Sequence, residues 1–279
     1  MNDTNAISSP ANLLQLRRYP NEFSFNVAAL MLAILLVHTI YVLHVRPTAN
    51  AIMAAQKLAM DQDPNFVAER SPYILIKDYE QESEIILMLW ALAIMGYKAL
   101  SQRRERQILD GEVLRIPEGM RILPEDTREY SRQLEALPAE QRNALVPRAL
   151  LAALGRFGAT RNVQDVSDVA HAVCETESER LDSELSMLRY IAWAIPAIGF
   201  IGTVRGIGDA LSQAHKAVSG DISGVTAGLG VAFNSTLIAL LLSILLMFLL
   251  HQLQLVQERL VHDAETYLDQ KVIRNMQAH

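Results

Sequence analysis

The feature that most constrains this chain is a long uncharged run, Ala227–Leu250. As a helix, its roughly 24 residues would be about 36 Å long, which is enough to cross the hydrocarbon core of a bilayer. The small and hydroxyl residues of the run fall on one stripe of that helix: Gly228, Ala232, Ser235, Thr236, Ala239 and Ser243. The run therefore predicts a membrane-spanning helix with one face suited to close contact with another helix.

A second apolar stretch, Trp193–Ala210, precedes this run and is also rich in small residues. A helix places Gly199, Gly202, Thr203 and Gly206 close together on one side. Lipid provides no hydrophobic drive for two helices to associate, so small faces supply van der Waals contact and hydroxyl groups form hydrogen bonds across it. We expect the two stretches to line a narrow lumen and to pack through six small residues: Gly199, Gly202, Gly206, Gly228, Ala232 and Ala239.

Two motifs in these stretches, GFIGTVRGI (Gly199–Ile207) and GVAFNSTLIALLLS (Gly230–Ser243), together with Pro196, resemble the MotA/TolQ/ExbB family of ion-channel subunits. In that family the first motif carries an F/L-G-T-V-x-G-I core on one pore helix, and the second carries a threonine among small residues on the other. Thr203 and Thr236 occupy those positions here. The family often has an aromatic residue after the Thr-Val pair, whereas this chain has Arg205.

Two further spans are predicted earlier in the chain. Phe23–Leu43 is an uncharged run of spanning length, and Ile85–Tyr97 reaches that length if the stem of Lys98 snorkels. Arginines precede the first run and follow the second, so the positive-inside rule places both flanks in the cytoplasm. The chain is 51% apolar but 20% charged, which indicates membrane spans combined with a soluble part. The predicted fold is an all-α integral membrane protein with four transmembrane helices and long helical cytoplasmic extensions, assembled as a ring.

The predicted organisation runs from a cytoplasmic N-terminus to a cytoplasmic C-terminal helix. In order, the segments are the N-terminus (1–22), a first span (23–43), a periplasmic loop (44–83), a second span (84–100), a cytoplasmic helical domain (101–186), a pore-lining third span (187–212), a short periplasmic loop (213–226), a pore-lining fourth span (227–252) and a cytoplasmic helix (253–279). The first loop contains a helix, Thr48–Met60, that ends near Pro64. The region between the two spans carries scattered bases and many acids, among them Asp61, Asp63, Glu69, Asp78, Glu80, Glu82 and, at the border with the second span, Glu84.

Two amphipathic helices are expected outside the membrane. From Asn162, apolar residues recur at helical spacing with acids between them, which predicts a long helix that leads into the third span and has a solvated acidic face. Gln252–Ile273 shows the same pattern after the fourth span, so the two helices could pack together beneath the membrane.

Composition and motif content exclude several functions. The single cysteine, Cys174, rules out an internal disulfide, and its H-x-x-C spacing with His171 lacks a second pair, so we expect no metal site. The net charge of −6 gives no reason to expect nucleic-acid binding. No phosphate-binding loop, H-E-x-x-H motif or recognisable Ser/His/Asp arrangement occurs. We therefore expect neither an enzyme nor a cofactor.

The two predicted pore helices lack a titratable group in the middle of the membrane. The hydroxyl groups of Thr203, Ser235 and Thr236 and the amide of Asn234 can solvate a hopping ion, but they cannot store a proton at ordinary pH. Asp209, Asp221 and Glu258 lie too near the ends to serve. The sequence thus predicts that the titratable group comes from elsewhere.

The resemblance implies where that group is found. Family members form a ring, reported as a pentamer, around two copies of a MotB/TolR/ExbD-type partner whose single transmembrane helix carries an aspartate. Ion flow past this aspartate, of H⁺ or Na⁺ with family frequency favouring H⁺, drives mechanical work from the bacterial inner membrane. Four spans are typical of the MotA branch, whereas TolQ and ExbB have three.

Several alternatives stay open at this point. A membrane scaffold or adaptor would also use small helix faces, and a small-solute transporter would usually show repeated halves, which this chain lacks. Arg205 is interpreted either as a gate or partner contact near the outer mouth, or as one half of a pair with Asp209 that fixes helix depth. His38, within the first span, either has a function or bonds a neighbouring backbone group or the interface.

Overall fold

The computed structural model describes residues 10–63, 71–111, 113–114 and 120–277. Every regular element in this part of the chain is helical. Residues 1–9 of the predicted N-terminus, and Pro64, where the loop helix was expected to end, lie outside the described residues. The helices, in order, are α1 (Pro10–Ile40), α2 (Arg46–Gln62), α3 (Pro72–Leu75), α4 (Tyr79–Asp110), α5 (Thr127–Glu135), α6 (Ala139–Arg142), α7 (Leu145–Thr160), α8 (Val163–Glu184), α9 (Ser186–Ser212), α10 (Ala214–Val218) and α11 (Ser223–Tyr267).

Four helical segments within the described residues are long and apolar enough to cross a membrane: Glu22–Met60, Tyr79–Asp110, Val163–Ser212 and Ser223–Asn275. The all-helical fold with four candidate spans is therefore confirmed. Ring assembly stays a prediction.

The segment assigned to the first loop begins as a continuation of the first helix. A π-helical turn, Tyr41–Val45, joins α1 to α2 without a break. Pro47 accounts for this wider turn, because its ring would collide with the carbonyl oxygen four residues earlier in a regular α-helix. The end of the same loop also differs from expectation. Helix α4 begins at Tyr79, so the acids assigned to the loop from Glu80 onwards are helical.

The chain divides into two compact units. Unit 1 comprises the chain up to Ile94 and Tyr190–Met247, and unit 2 comprises Met95–Arg189 and Phe248–His279. In unit 1, α1 and α4 are joined by a hydrogen bond of 3.0 Å from Trp90 Nε1 to the carbonyl oxygen of Asn26. The α9–α11 pair of unit 1 carries both sequence motifs.

Unit 2 has a conventional apolar core formed by parts of α4, α5, α7, α8 and α11. Phe157, Leu150 and Leu154 of α7 are fully buried in it. The two predicted amphipathic helices do pack together, since Val166 and Leu181 share this core with Leu260 and Ala264. Most of the acids on α8 are exposed, as predicted for a solvated face. Lys98, whose side chain the sequence analysis considered able to snorkel, is buried and donates a hydrogen bond of 2.9 Å to Glu184.

Candidate functional site

The six small residues predicted to mediate packing lie where α9 and α11 meet. A Cβ added at Gly199 would lie 2.3 Å from that of Ala239, and one added at Gly206 would lie 2.5 Å from the backbone nitrogen of Ala232. A Cβ added at Gly228 would lie 2.7 Å from the carbonyl oxygen of Gly206, and one added at Gly202 would lie 2.5 Å from the Cβ of Ser235. At this crossing the two backbones leave no room for side chains larger than those present, which is how helices associate without a hydrophobic drive.

Pro196 leaves one carbonyl group of α9 without its usual helical donor, because proline has no backbone N–H. That group belongs to Ala192, and Ser243 Oγ of α11 donates a hydrogen bond of 3.2 Å to its oxygen. A hydroxyl group from the second motif thus satisfies the backbone group that the proline frees.

Thr203 and Thr236, the two threonines singled out by the motifs, meet at the α9–α11 contact. Their hydroxyl groups are hydrogen-bonded to each other. The carbonyl oxygens of Gly199 (3.2 Å) and Ala232 (3.1 Å) both lie within hydrogen-bonding distance of Thr203 Oγ1 and share its single proton. Both threonines are only partly buried in the single chain. The two hydroxyl groups therefore form a polar contact between α9 and α11.

The other two predicted pathway residues occupy different positions. Ser235 is fully buried, donates to the carbonyl oxygen of Val231 at 2.9 Å, and accepts a hydrogen bond of 3.3 Å from Gln81 of α4. Its hydroxyl group thus faces α4 rather than an open surface. Asn234 is partly buried on α11. The contact of either residue with an ion stays a prediction.

Arg205 has a partner that the sequence did not indicate. Its Nε and Nη2 donate to the two carboxylate oxygens of Glu80 at 2.7 and 2.8 Å, an arrangement typical of strong arginine–carboxylate pairs. The expected pair with Asp209 is longer, at 3.7 Å. Glu80 is buried and lies on the first turn of α4, where the sequence analysis placed the end of a loop. The ion pair therefore connects α9, near the end of the first motif, to α4.

Glu82, also assigned to the loop, is buried on another side of α4. It is bonded to His38 Nδ1 at 2.7 Å and to Arg46. The Arg46 guanidinium in turn lies 4.2 Å from the ring centre of Tyr79. His38 is thus bonded to a carboxylate on α4, rather than to a backbone group.

Glu84 is the third buried carboxylate of α4 and has a different environment. Its side chain is fully buried, and neither oxygen has a hydrogen-bond partner among the described residues. A Cβ added at Gly199 would lie 3.4 Å from Glu84 Oε1. The carboxyl group therefore faces the glycine whose carbonyl oxygen accepts a hydrogen bond from Thr203.

The remaining candidates lie in unit 2. Cys174 is buried in the core, and burial raises the pKa of its thiol to about 11. His171 is exposed and is bonded through Nδ1 to Glu265 at 2.7 Å, which raises the pKa of His171. Within the described residues, no group of three or more His, Cys, Asp or Glu side chains is placed to hold a metal ion.

Residues 141–266 match the model of the MotA/TolQ/ExbB proton channel family. This segment spans a little under half of the chain and contains both motifs, so the predicted resemblance is confirmed. The matched family is one of proton channels rather than of enzymes. No curated protein and no solved structure matches the chain significantly.

Proposed function

We propose that this chain is the ring-forming channel subunit of an ion-driven, two-component motor in a bacterial inner membrane. The observation that carries the proposal is the Thr203–Thr236 hydroxyl pair, which lies at the glycine-lined crossing of α9 and α11 within the segment that matches a proton channel family. The transported ion is H⁺, with Na⁺ as the alternative that a hydroxyl-lined pathway would also accept.

A ring fits the exposure of this site. The hydroxyl pair is only partly buried in one chain, and α9 exposes large apolar side chains on either side of Thr203, among them Phe200 and Val204. Several copies arranged around an axis would place the threonines on a shared lumen and the apolar side chains against a neighbour or a partner helix. Five copies and two copies of a single-span partner of the MotB/TolR/ExbD type are the stoichiometry that the family resemblance supports.

The partner would supply an aspartate to the lumen. A narrow passage lined by apolar and hydroxyl groups presents a desolvation barrier to a bare ion. A carboxylate that alternates between charged and neutral forms lowers that barrier, because the charge then crosses in neutralised form. Arginines precede the first span and follow the second. By the positive-inside rule this distribution supports cytoplasmic termini.

The test measures proton flux into dye-loaded proteoliposomes that contain the chain and its copurifying single-span protein. Thr203→Val and Thr236→Val keep the side-chain shape and remove the hydroxyl groups, so we expect flux to fall sharply while the assembly keeps its mass. Thr226→Val is the matched control, because the Thr226 hydroxyl is bonded to local backbone oxygens at the start of α11, those of Ile222 and Ser223. Unchanged flux in both single variants and in the double variant would remove the pathway assignment and favour a scaffold or adaptor.

A further inference from the structure

The geometry points to a second protonatable site, within this chain itself: Glu84 binds a proton in the resting protein and releases and regains it during ion flow. This inference rests on the proposed function only for its coupling to flow, since the proton-binding site is a property of the isolated chain. It adds a titratable group within this chain to the one expected from the partner.

The position of Glu84 is deep along the spanning helices. Its carboxyl group faces Gly199, which is the middle residue of the 27-residue helix α9. At 1.5 Å per residue, Gly199 lies about 20 Å from either end of that helix. The stretch Tyr190–Val204 around it contains no charged residue. The Glu84 carboxyl group therefore lies level with the middle of this uncharged stretch of α9. Glu84 itself is near the start of α4.

The face of α4 explains why a carboxylate is buried there. Gln81, Glu84, Met88 and Ala91 recur at helical spacing and are all buried. Gln81 donates to Ser235, so this face of α4 packs against α11. The same packing places Glu84 against Gly199 of α9.

The charged groups around Glu84 are already engaged. On α4, Glu80 lies one turn away and forms a two-point ion pair with Arg205, the charged side chain that α9 brings to this region. The cation at the other side of α4, Arg46, is bonded to Glu82 together with His38. The α11 run Ala227–Leu250 contains no charged residue. A buried, unpaired carboxylate anion is strongly disfavoured, and binding a proton removes that cost.

Gly199 is the residue that the Glu84 carboxyl group and the hydroxyl pair both approach. Thr203 Oγ1 donates to the carbonyl oxygen of Gly199 at 3.2 Å, and Thr236 Oγ1 lies 3.5 Å from the same oxygen. During flow, the O–H bond of the Glu84 carboxyl breaks and its proton passes to an acceptor on the lumen side, namely water or the partner's carboxylate. The Glu84 carboxylate that remains then takes up the next proton from the opposite side. No net charge is left on the chain after one cycle.

Infrared spectroscopy of the full chain in liposomes, without a partner, tests the proton-binding site. The difference spectrum is taken between the wild-type chain and each variant. A protonated carboxyl group gives a C=O stretching band that moves in D₂O, and we expect Glu84→Gln to remove one such band. Glu84→Asp should retain it at a shifted position. Glu82→Gln is the matched control and should leave the band intact, because Glu82 has cationic partners. Glutamine has the shape of a neutral glutamic acid, so Glu84→Gln should fold and assemble normally.

The outcomes separate this inference from the proposed function. Identical spectra for the wild-type chain and Glu84→Gln would overturn the proton-binding site, whatever the flux measurements show. With the partner present, Glu84→Gln should reduce proton flux towards the level of vesicles that lack the partner. Loss of the band with unchanged flux would overturn the role of Glu84 in ion flow. A band in a chain that conducts nothing with any partner would instead count against the proposed function alone.

Discussion

The α9–α11 contact of unit 1 and the core of unit 2 are built on opposite principles. In unit 2, large side chains such as Phe157 and Leu150 are fully buried. At the glycine-lined crossing of α9 and α11, the residues in closest contact are glycine, alanine, serine and threonine, while Phe200 and Ile244 of the same helices are 66% and 69% exposed. Water drives large apolar groups inward, whereas lipid accepts them on the surface and leaves close backbone contact to hold helices together. The contrast indicates that the sequence of unit 2 suits an aqueous environment and that the α9–α11 pair of unit 1 suits a lipid environment.

The largest expected effect is in the core of unit 2. Phe157→Ala should destabilise this unit by about 3–5 kcal/mol, because it removes a large buried side chain and leaves a cavity. Cys174, the single cysteine, lies in the same core and reports its opening. Alkylation of Cys174 should therefore accelerate by roughly 100-fold or more.

The control for this change is Val256→Ala, at a residue of unit 2 that is 52% exposed. It should change the alkylation rate little. Equal acceleration in both variants would show that Phe157 does not hold the core closed.

A smaller effect is expected at the α9–α11 contact. Gly206→Ala places a methyl group against the backbone of α11 and should destabilise unit 1 by about 1–3 kcal/mol. Gly208→Ala on the same helix meets nothing within 4 Å and, by helix propensity, should be neutral or slightly stabilising. Both tryptophans, Trp90 and Trp193, lie in unit 1, so their fluorescence during SDS titration reports this unit selectively.

The difference in stability between the two glycine variants tests whether close backbone contact stabilises the α9–α11 pair. If Gly206→Ala and Gly208→Ala were equally stable, close backbone approach would not be what holds α9 and α11 together.

The smallest effect concerns pH and the buried thiol. Burial raises the pKa of Cys174 to about 11, so the folded protein keeps this proton to higher pH than the unfolded chain does. The stabilisation is present below the ordinary thiol pKa and is lost as pH rises towards 11, by about 1 kcal/mol between pH 8 and pH 10. Comparison of the urea midpoint for proteolysis within α7 in wild type and Cys174→Ala isolates this contribution. An identical pH dependence of the urea midpoint in the two proteins would contradict a raised pKa of the Cys174 thiol.

Much of unit 1 was predictable from sequence, because its information is local. An uncharged run of spanning length and small residues at helical spacing define α11 and its contact with α9 without reference to the rest of the chain. The partner of Arg205 was not predictable in this way. Asp209, four residues away, offered a local pair, whereas the closer partner Glu80 is 125 residues away in sequence.

The buried acids of α4 were missed for a related reason. Glu80, Glu82 and Glu84 precede an apolar run, and acids in that position are typical of a loop or of an exposed first turn. Their burial depends on Arg205, Arg46 and the glycines of α9, which only the tertiary fold brings near. Gln81, Glu84 and Met88 have the spacing of residues on one face of a helix, and this spacing could have indicated a buried face. Because Gln81 and Glu84 are polar, the pattern did not indicate an apolar face.

Proton flux in proteoliposomes, with and without the single-span partner, distinguishes one half of a two-component motor from a self-sufficient channel. We expect the chain alone to assemble but to conduct little, and we expect flux to appear with the partner and to be lost when the partner's transmembrane aspartate is changed to asparagine. Substantial proton flux through vesicles that contain this chain alone would contradict this expectation, because the chain would then be a complete channel rather than one half of a motor.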